Sequence, residues 1–212
     1  RCTKLRSFQW SAKQSRLYAR AERSETSTPL SLRLNHGIAT ALALRKIQAA
    51  LGPNIELIIS GGAPLAPELA EFFSGLDLTL VQGYGLTETT GPIAVQHADY
   101  TPFNTVGSVV PGNEIKISEH GEILVRGVSV STGYHNLPDE TAESFEDGWF
   151  HTGDLGTIDP HTGHLSITGR RKELLVTAGG KNVSPEVLEE QLQTHPLIGH
   201  VIVVGDNRPY IC

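Results

Sequence analysis

The sequence contains no methionine, only two cysteines, and no long apolar run. Without methionine the chain does not begin at a start codon, so it is expected to be an internal piece of a longer protein. Cys2 and Cys212 stand at opposite ends, a spacing that makes neither a metal-ligand pair nor a disulfide framework. A reducing, cytoplasmic compartment is therefore the expectation. Apolar stretches such as Ile55–Ile59 and Val201–Val204 are strand-length, well short of the ~20 residues of a membrane-spanning helix. The opening Arg-Cys-Thr-Lys does not read as a signal peptide. Positive charge is also in deficit: 17 Lys and Arg against 23 Asp and Glu leave a net charge of −6, which speaks against a nucleic-acid partner. What is present suits a folded protein. With 212 residues and 39% hydrophobic content the chain can bury a core as one large domain or two small ones.

Residues 1–30 read as polar and irregular, with S-E-T-S-T-P as a loop. From Leu30 to Leu51 the recurrence of Leu34, Ile38, Ala41, Leu42, Ile47 and Leu51 predicts a helix that turns those residues to the core and keeps Arg45, Lys46 and Gln48 wet. Gly52-Pro53 ends it. A β-branched strand at Ile55–Ile59 leads into the loop S-G-G-A-P-L and a helix from about Pro67 to Phe73. A second strand, Leu78–Val81, then ends in Q-G-Y-G-L-T-E. Strand, helix, strand at this spacing predicts parallel pairing, with both glycine-rich loops at carboxyl ends of strands, where open α/β sheets bind ligands.

After about residue 100 the pattern changes to hairpins, one at 114–118 and 122–126, another at 156–158 and 164–167 turning through D-P-H-T-G. Beyond Gly169 a short strand, a Gly-Gly turn, a helix from about Pro185 to Gln193 and a strand at Val201–Val204 are expected. The fold class is α/β: a parallel sheet with flanking helices over 1–100, a small antiparallel β-subdomain over 101–170, and the start of a small α+β lid over 171–212.

Gly83-Tyr84-Gly85-Leu86-Thr87-Glu88 is the stretch richest in chemistry. Its glycines admit close backbone approach, Tyr84 can offer a ring face to a planar base, and Thr87 can offer a hydroxyl to a phosphate. Glu88 is a hard oxygen ligand suited to Mg²⁺. On its own G-Y-G reads equally well as a structural turn. By the same standard Asp154 alone reads as a turn cap, and R-R-K-E as a solvated connector. The nine histidines contain no H-E-x-x-H spacing. His161 and His164 are expected to face solvent in a hairpin turn, His151 adjoins H-T-G-D, and Trp149 is expected to be a core or interface aromatic.

Four segments, S-G-G-A-P-L, Q-G-Y-G-L-T-E-T-T-G, G-W-F-H-T-G-D-L-G and G-R-R-K-E-L-L-V-T-A-G-G-K-N-V-S-P, together resemble the adenylate-forming (AMP-binding) superfamily. Their wording is most similar to the long-chain fatty acyl-CoA synthetases, and the resemblance runs from about Leu30 to the C-terminus. It implies an enzyme that activates a fatty acid with ATP and Mg²⁺ as acyl-AMP and transfers the acyl group to CoA. Gly61, Gly62 and Ala63 would line the adenine and acyl pocket, with Gln82, Gly83, Tyr84 and Gly85 also at the nucleotide and Tyr84 stacked on the base. Thr87 would contact phosphate, and Glu88 the metal. Asp154 would take the ribose hydroxyls, since an ionised carboxylate has the paired acceptors a cis-diol needs. Arg170 would support ribose or phosphate as a permanent cation. Lys172 matches the hinge about which the lid turns, and Gly179, Gly180 and Lys181 would line the CoA tunnel.

Two family features do not occur in this sequence: the Thr/Ser/Gly-rich phosphate loop ending in P-K-G, and the lysine near the family's C-terminus that assists adenylation. The chain is therefore expected to bind nucleotide weakly and not to form acyl-AMP by itself. An aryl-CoA ligase, a luciferase-like oxygenase and a fatty acyl-AMP ligase share these motifs. A non-catalytic scaffold with a relict nucleotide pocket is the alternative from another class. The expected partners are small molecules, with no nucleic acid, and with peripheral membrane contact and oligomeric state left open.

Overall fold

In the computed structural model, residues 2–23, 27–52, 54–98, 101–195 and 197–212 are described. They form two compact units, Arg1–Gly83 with Gln96–Asn104, and Tyr84–Val95 with Thr105–Cys212. The helix stop expected at Pro53 and the centre of the S-E-T-S-T-P loop lie outside the described residues. Among the described residues no helix is long and apolar enough to cross a membrane.

The first unit opens with a helix where the sequence reads as irregular. Helix α1 spans Cys2–Glu22, a stretch with no Gly or Pro to interrupt it. Its buried face is made of small residues: Ser11, Ser15 and Ala19, four apart, are at most 2% exposed. Hydrophobic periodicity is blind to such a stripe, which allows close helix approach instead of filling space. A Cβ on Gly75 would lie 2.2 Å from the Ser15 carbonyl oxygen, and Ser15 Oγ donates to the Phe72 carbonyl at 2.9 Å. Arg20 pairs with the buried Glu71 at 2.5 Å.

The second helical stretch runs as α2 (Leu30–Ala39), a π-helical turn (Thr40–Leu44) and α3 (Arg45–Leu51). Its extent matches the expectation; its buried face does not. His36, Ala39 and Leu44 are buried, whereas Leu30, Leu34, Ile38 and Leu42 are 82%, 66%, 45% and 52% exposed. Two causes combine. Packing of α1 selects the neighbouring stripe, with the Tyr18 ring stacked on His36 at 4.0 Å and His36 Nε2 2.7 Å from the Gly75 carbonyl. The π turn also breaks the 3.6-residue phase on which a sequence reading relies.

Strands β1 (Leu57–Gly61) and β2 (Thr79–Leu86) are joined through α4 (Pro67–Ser74) and pair in parallel from Leu57↔Thr79 to Gly61↔Gly83, as expected. Ala70, Leu80, Ala19 and Phe103 form one core cluster of this unit; Ala39, Leu44, Leu76 and Leu78 form another. Strand β2 does not stop at Val81. It continues through Q-G-Y-G-L into the second unit, so the G-Y-G segment is strand and not loop. Gly85 permits this: a Cβ there would lie 2.0 Å from the Gly91 carbonyl oxygen, leaving no room for a side chain where β3 (Gly91–Val95) passes.

In the second unit β3 pairs antiparallel with β4 (Ser108–Val109). A five-stranded sheet follows, made of β5 (Asn113–Ile117), β6 (Glu122–Gly127), β7 (Phe145–Glu146), β8 (Trp149–Ile158) and β9 (Leu165–Arg170). Its order is β5-β6-β8-β7, with β9 also on β8. Both expected hairpins are present as β5–β6 and β8–β9. The second turns through Asp159, whose carboxylate accepts the His161 and Thr162 amides at 2.8 and 2.9 Å; those two bonds hold its pKa below the usual carboxylate value. Gly163 supplies the left-handed position with φ +71°. His164 is buried, contrary to the solvent-facing expectation. Asp159 N–H donates to its carbonyl at 3.0 Å, which makes it the first ladder residue after the turn and not part of the turn. Ile93, Ala94, Ile123, Val125, Phe150 and Leu165 make the core. Helix α5 (Pro138–Ser144) precedes β7, and β10 (Leu175–Val176), β11 (Asn182–Val183) and α6 (Pro185–Gln193) follow β9. The strand expected at Val201–Val204 is not formed: Val204 exchanges two 2.9 Å bonds with Cys212, while Val203 N–H is taken by Glu189 Oε1 at 2.7 Å, so no ladder extends.

Candidate functional site

The T-E-T-T segment that ends β2 is a 3₁₀ turn, Thr87–Thr89, and it divides its hydroxyls between inside and outside. Thr89 is buried. Its Oγ1 accepts the Leu86 amide at 2.8 Å and lies 2.7 Å from the Gly91 carbonyl to which it donates. Thr90 has φ +56° and donates its hydroxyl to the Ser129 carbonyl at 2.8 Å. These bonds fix the turn, and the Thr87 side chain is left exposed.

Glu88 is clasped from residues 131–134. Ser131 N–H donates to its carbonyl at 2.7 Å, and the Tyr134 phenol donates to its Oε1, also at 2.7 Å. Burial and that carboxylate together raise the Tyr134 pKa, so the phenol stays a donor. Tyr134 rests edge-on against Phe145, centroids 6.0 Å apart. Glu88 Oε2 makes no bond to protein among the described residues. One carboxylate oxygen is therefore oriented and the other is open.

H-T-G-D lies on β8, where the ladder with β6 is interrupted. Glu122 faces Leu155 and Leu124 faces His151, so β8 has two more residues over this stretch than β6. Gly153, with φ +72°, carries the bulge. Thr152 Oγ1 donates to the Ile123 carbonyl at 2.8 Å and accepts the Asp154 amide at 3.1 Å. Asp154 is 5% exposed. Its Oδ2 accepts the Tyr84 phenol at 2.7 Å, and its Oδ1 lies 3.1 Å from Arg170 Nε, the residue opposite it on β9. Burial first, then the Asp154 charge, push the Tyr84 pKa far above that of free tyrosine. Each carboxylate oxygen has one protein donor and keeps one acceptor direction.

The expected site residues thus fall into separate groups. Tyr84, Asp154 and Arg170 are in direct contact in the second unit. Thr87 and Glu88 share a turn there. Lys172 is exposed in a short 3₁₀ turn, Arg171–Glu173. Gly179, Gly180 and Lys181 form the exposed tip between β10 and β11, closed by Gly180 N–H to the Thr177 carbonyl at 2.8 Å. Gly61, Gly62, Ala63, Gln82 and Gly83 belong to the first unit. Gly61 and Gly83 are register partners there, and a Cβ on Gly61 would lie 3.1 Å from the Gly83 carbonyl. Trp149 is half-buried between the cations of Lys116 and Arg126, 4.2 and 4.5 Å from its ring.

Tyr134, Thr89, Thr152 and Glu122 were not singled out by sequence reasoning. Glu122 is 5% exposed at the start of a strand whose next three residues are also buried. With both faces of β6 covered, no alternation of polar and apolar residues remains to betray an inward carboxylate.

A buried carboxylate with spare acceptor capacity, an open carboxylate oxygen beside a free threonine hydroxyl, and a doubly glycine-flanked tyrosine define a nucleotide-binding enzyme of the adenylate-forming kind. Residues 11–135 match the AMP-binding enzyme family and residues 172–212 the AMP-binding enzyme C-terminal domain; the chain belongs to the AMP-binding enzyme family. Among curated relatives, the long-chain-fatty-acid–CoA ligase FadD15 of Mycobacterium bovis is 51% identical over 182 residues, covering 86% of this chain and 30% of its own length. The long-chain-fatty-acid–CoA ligase heimdall of Drosophila melanogaster is 44% identical over 74% of this chain and 24% of its own. The chain thus spans less than a third of the length of these relatives. Among solved structures, wild-type E. coli MenE with a bound OSB-AMS analogue superposes with a TM-score of 0.57 at 31% identity, covering 76% of this chain and 35% of that one. Bacillus subtilis MenE in complex with AMP superposes at 0.67 over 97% of this chain and 53% of that one; at 22% identity it supports the fold.

Proposed function

We propose that this chain is the ribose-, phosphate- and metal-contacting part of a long-chain fatty acid–CoA ligase. Such an enzyme joins a fatty carboxylate to AMP at the expense of ATP and then passes the acyl group to CoA. The observation that carries the reading is Asp154: buried, held by Tyr84 and Arg170, and still able to accept two hydrogen bonds from a cis-diol. The fatty-acid branch is preferred over the aryl-CoA branch because identity to FadD15 is 51% and to MenE 31%.

In this reading Asp154 fixes the ribose, Arg170 keeps the carboxylate ionised and Thr87 donates to phosphate. Because the Tyr84 phenol is engaged by Asp154, its ring is held in one plane, ready for stacking on adenine at little entropic cost. The donor set suits Mg²⁺. No group of three or more acidic, His or Cys side chains converges among the described residues, but Mg²⁺ in nucleotide sites takes one or two carboxylates and completes its shell with phosphates and water. Glu88 Oε2 would hold the ion, which when bound neutralises phosphate charge. Lys172, exposed at the junction of the two matched family segments, is assigned the hinge, and Gly179, Gly180 and Lys181 are assigned to CoA. Contact of Gly61, Gly62, Ala63, Gln82, Gly83 and Gly85 with the nucleotide belongs to the same proposal and is supported by motif alone. A cytoplasmic location belongs to it as well.

Titration of the 212-residue chain with AMP by heteronuclear NMR tests this. Binding in the millimolar range that weakens about tenfold in Asp154→Asn is expected, as for the loss of a charged hydrogen-bond acceptor. AMP binding left unchanged by that substitution would sink the reading. Isotope exchange between pyrophosphate and ATP by this chain alone is expected to be absent.

A further inference from the structure

We infer that Glu122 is a positioning residue that sets the aim of Asp154 by pinning the β8 bulge. This rests on the assignment of Asp154 to the ribose. The geometry is specific. Glu122 Oε1 accepts the Gly153 amide at 3.0 Å, so the carboxylate holds the one residue of the bulge with left-handed backbone. Its Oε2 lies 3.2 Å from Arg171 Nη1 and 3.3 Å from His151 Nδ1. A single buried side chain thus ties together β6, both sides of the bulge and the first residue after β9.

The neighbouring bonds explain why this anchor matters. The peptide pinned by Glu122 is followed directly by Asp154, whose own amide is held by Thr152 Oγ1. With Gly153 fixed from β6 and Thr152 fixed on Ile123, the Asp154 backbone has one orientation, and its carboxylate meets Tyr84 and Arg170. Without Glu122 the Gly153 N–H loses its acceptor. Glycine, free to leave the left-handed region, then lets the bulge reset its register. Arg170 and Arg171 divide accordingly: the first serves the group that would meet ligand, the second serves the group that positions it.

The test compares AMP with 2′-deoxy-AMP, because a misaimed Asp154 loses discrimination at the ribose while general destabilisation weakens both ligands alike. Affinities are read by NMR on the 212-residue chain for wild type, Glu122→Ala, Glu122→Gln and Asp154→Asn. A wild-type preference for AMP of roughly tenfold is expected from one charged hydrogen bond. Glu122→Ala should cut it below about threefold, and Glu122→Gln, which keeps an acceptor for Gly153, should retain most of it. Gly153 amide exchange, measured in the same samples without ligand, should quicken at least tenfold in Glu122→Ala and stay near wild type in Glu122→Gln.

The failures separate. If wild type shows no preference, or Asp154→Asn keeps it, the ribose assignment is wrong. If Asp154→Asn loses the preference and Glu122→Ala keeps it, only the positioning role is wrong. Unchanged Gly153 exchange in Glu122→Ala overturns the anchor whatever the nucleotide does. Should the alanine variant fail to fold, the glutamine variant still decides: Gly153 protected with discrimination intact supports the role, and discrimination lost despite protection overturns it.

Discussion

Replacing Tyr84 by phenylalanine removes one oxygen, and the structure says what that oxygen does at each pH. At neutral pH it donates to the buried Asp154 carboxylate, a charge-assisted bond whose loss costs about 1.5–3 kcal/mol. The same burial and charge raise the Tyr84 pKa in the folded state. In the unfolded chain the phenol titrates near 10. A proton held more tightly in the native state stabilises it fully below the unfolded pKa, and that contribution is lost as pH rises through and beyond it. Each pH unit above 10 therefore takes up to about 1.4 kcal/mol from wild type and nothing from Tyr84→Phe. The stability gap, about 2 kcal/mol at pH 8, should shrink by about 1.4 kcal/mol at pH 11. Tyr18 and Tyr134, whose pKa values are also raised, are present in both proteins and cancel. Urea titrations followed by far-UV circular dichroism from pH 8 to 11 measure the gap. A gap that stays constant over this range would show that the phenol titrates as a free tyrosine and would refute its attachment to Asp154.

Two further substitutions test other elements. Tyr134→Phe releases Glu88 Oε1; at this partly exposed pair stability should change by less than about 1 kcal/mol, while Mg²⁺ affinity, read from chemical-shift titration of the Glu88 region, should fall several-fold, and an unaltered affinity would remove Tyr134 from any metal role. Gly75→Ala places a methyl 2.2 Å from the Ser15 carbonyl oxygen and should cost about 1–3 kcal/mol by forcing α1 away from α4; a urea midpoint equal to wild type would contradict the close approach of those helices.

The sequence was readable where side chains announce their structure by pattern or by turn chemistry. The two hairpins followed from alternation and from D-P-H-T-G, the helix at Pro67 from its proline start, and the parallel pair from strand–helix–strand spacing. Helix α1 was illegible because its buried stripe is Ser11, Ser15 and Ala19, residues that carry no hydrophobic signal. The wet and dry sides of α2 were misread because a π turn shifts the phase and because His36, a polar residue, is the one that α1 covers. Val201–Val204 has strand composition but no ladder, since β propensity is realised only against a partner. At the site, Asp154, Tyr84 and Arg170 were legible from their motifs, and the structure brings them into contact. Glu122 and Tyr134 were not, because each acts across the fold from far away in sequence, 31 and 46 residues from the groups they hold.

The hairpin at Asp159 has a kinetic consequence. Its two strands are joined by a turn that closes on its own carboxylate, so the loop entropy of pairing β8 with β9 is small and is met early. Asp154 and Arg170 lie at the far end of that ladder. The pair that the site most depends on is therefore the last rung of a zipper begun at Asp159. Substitutions at the turn should slow folding, whereas substitutions at the pair should chiefly speed unfolding.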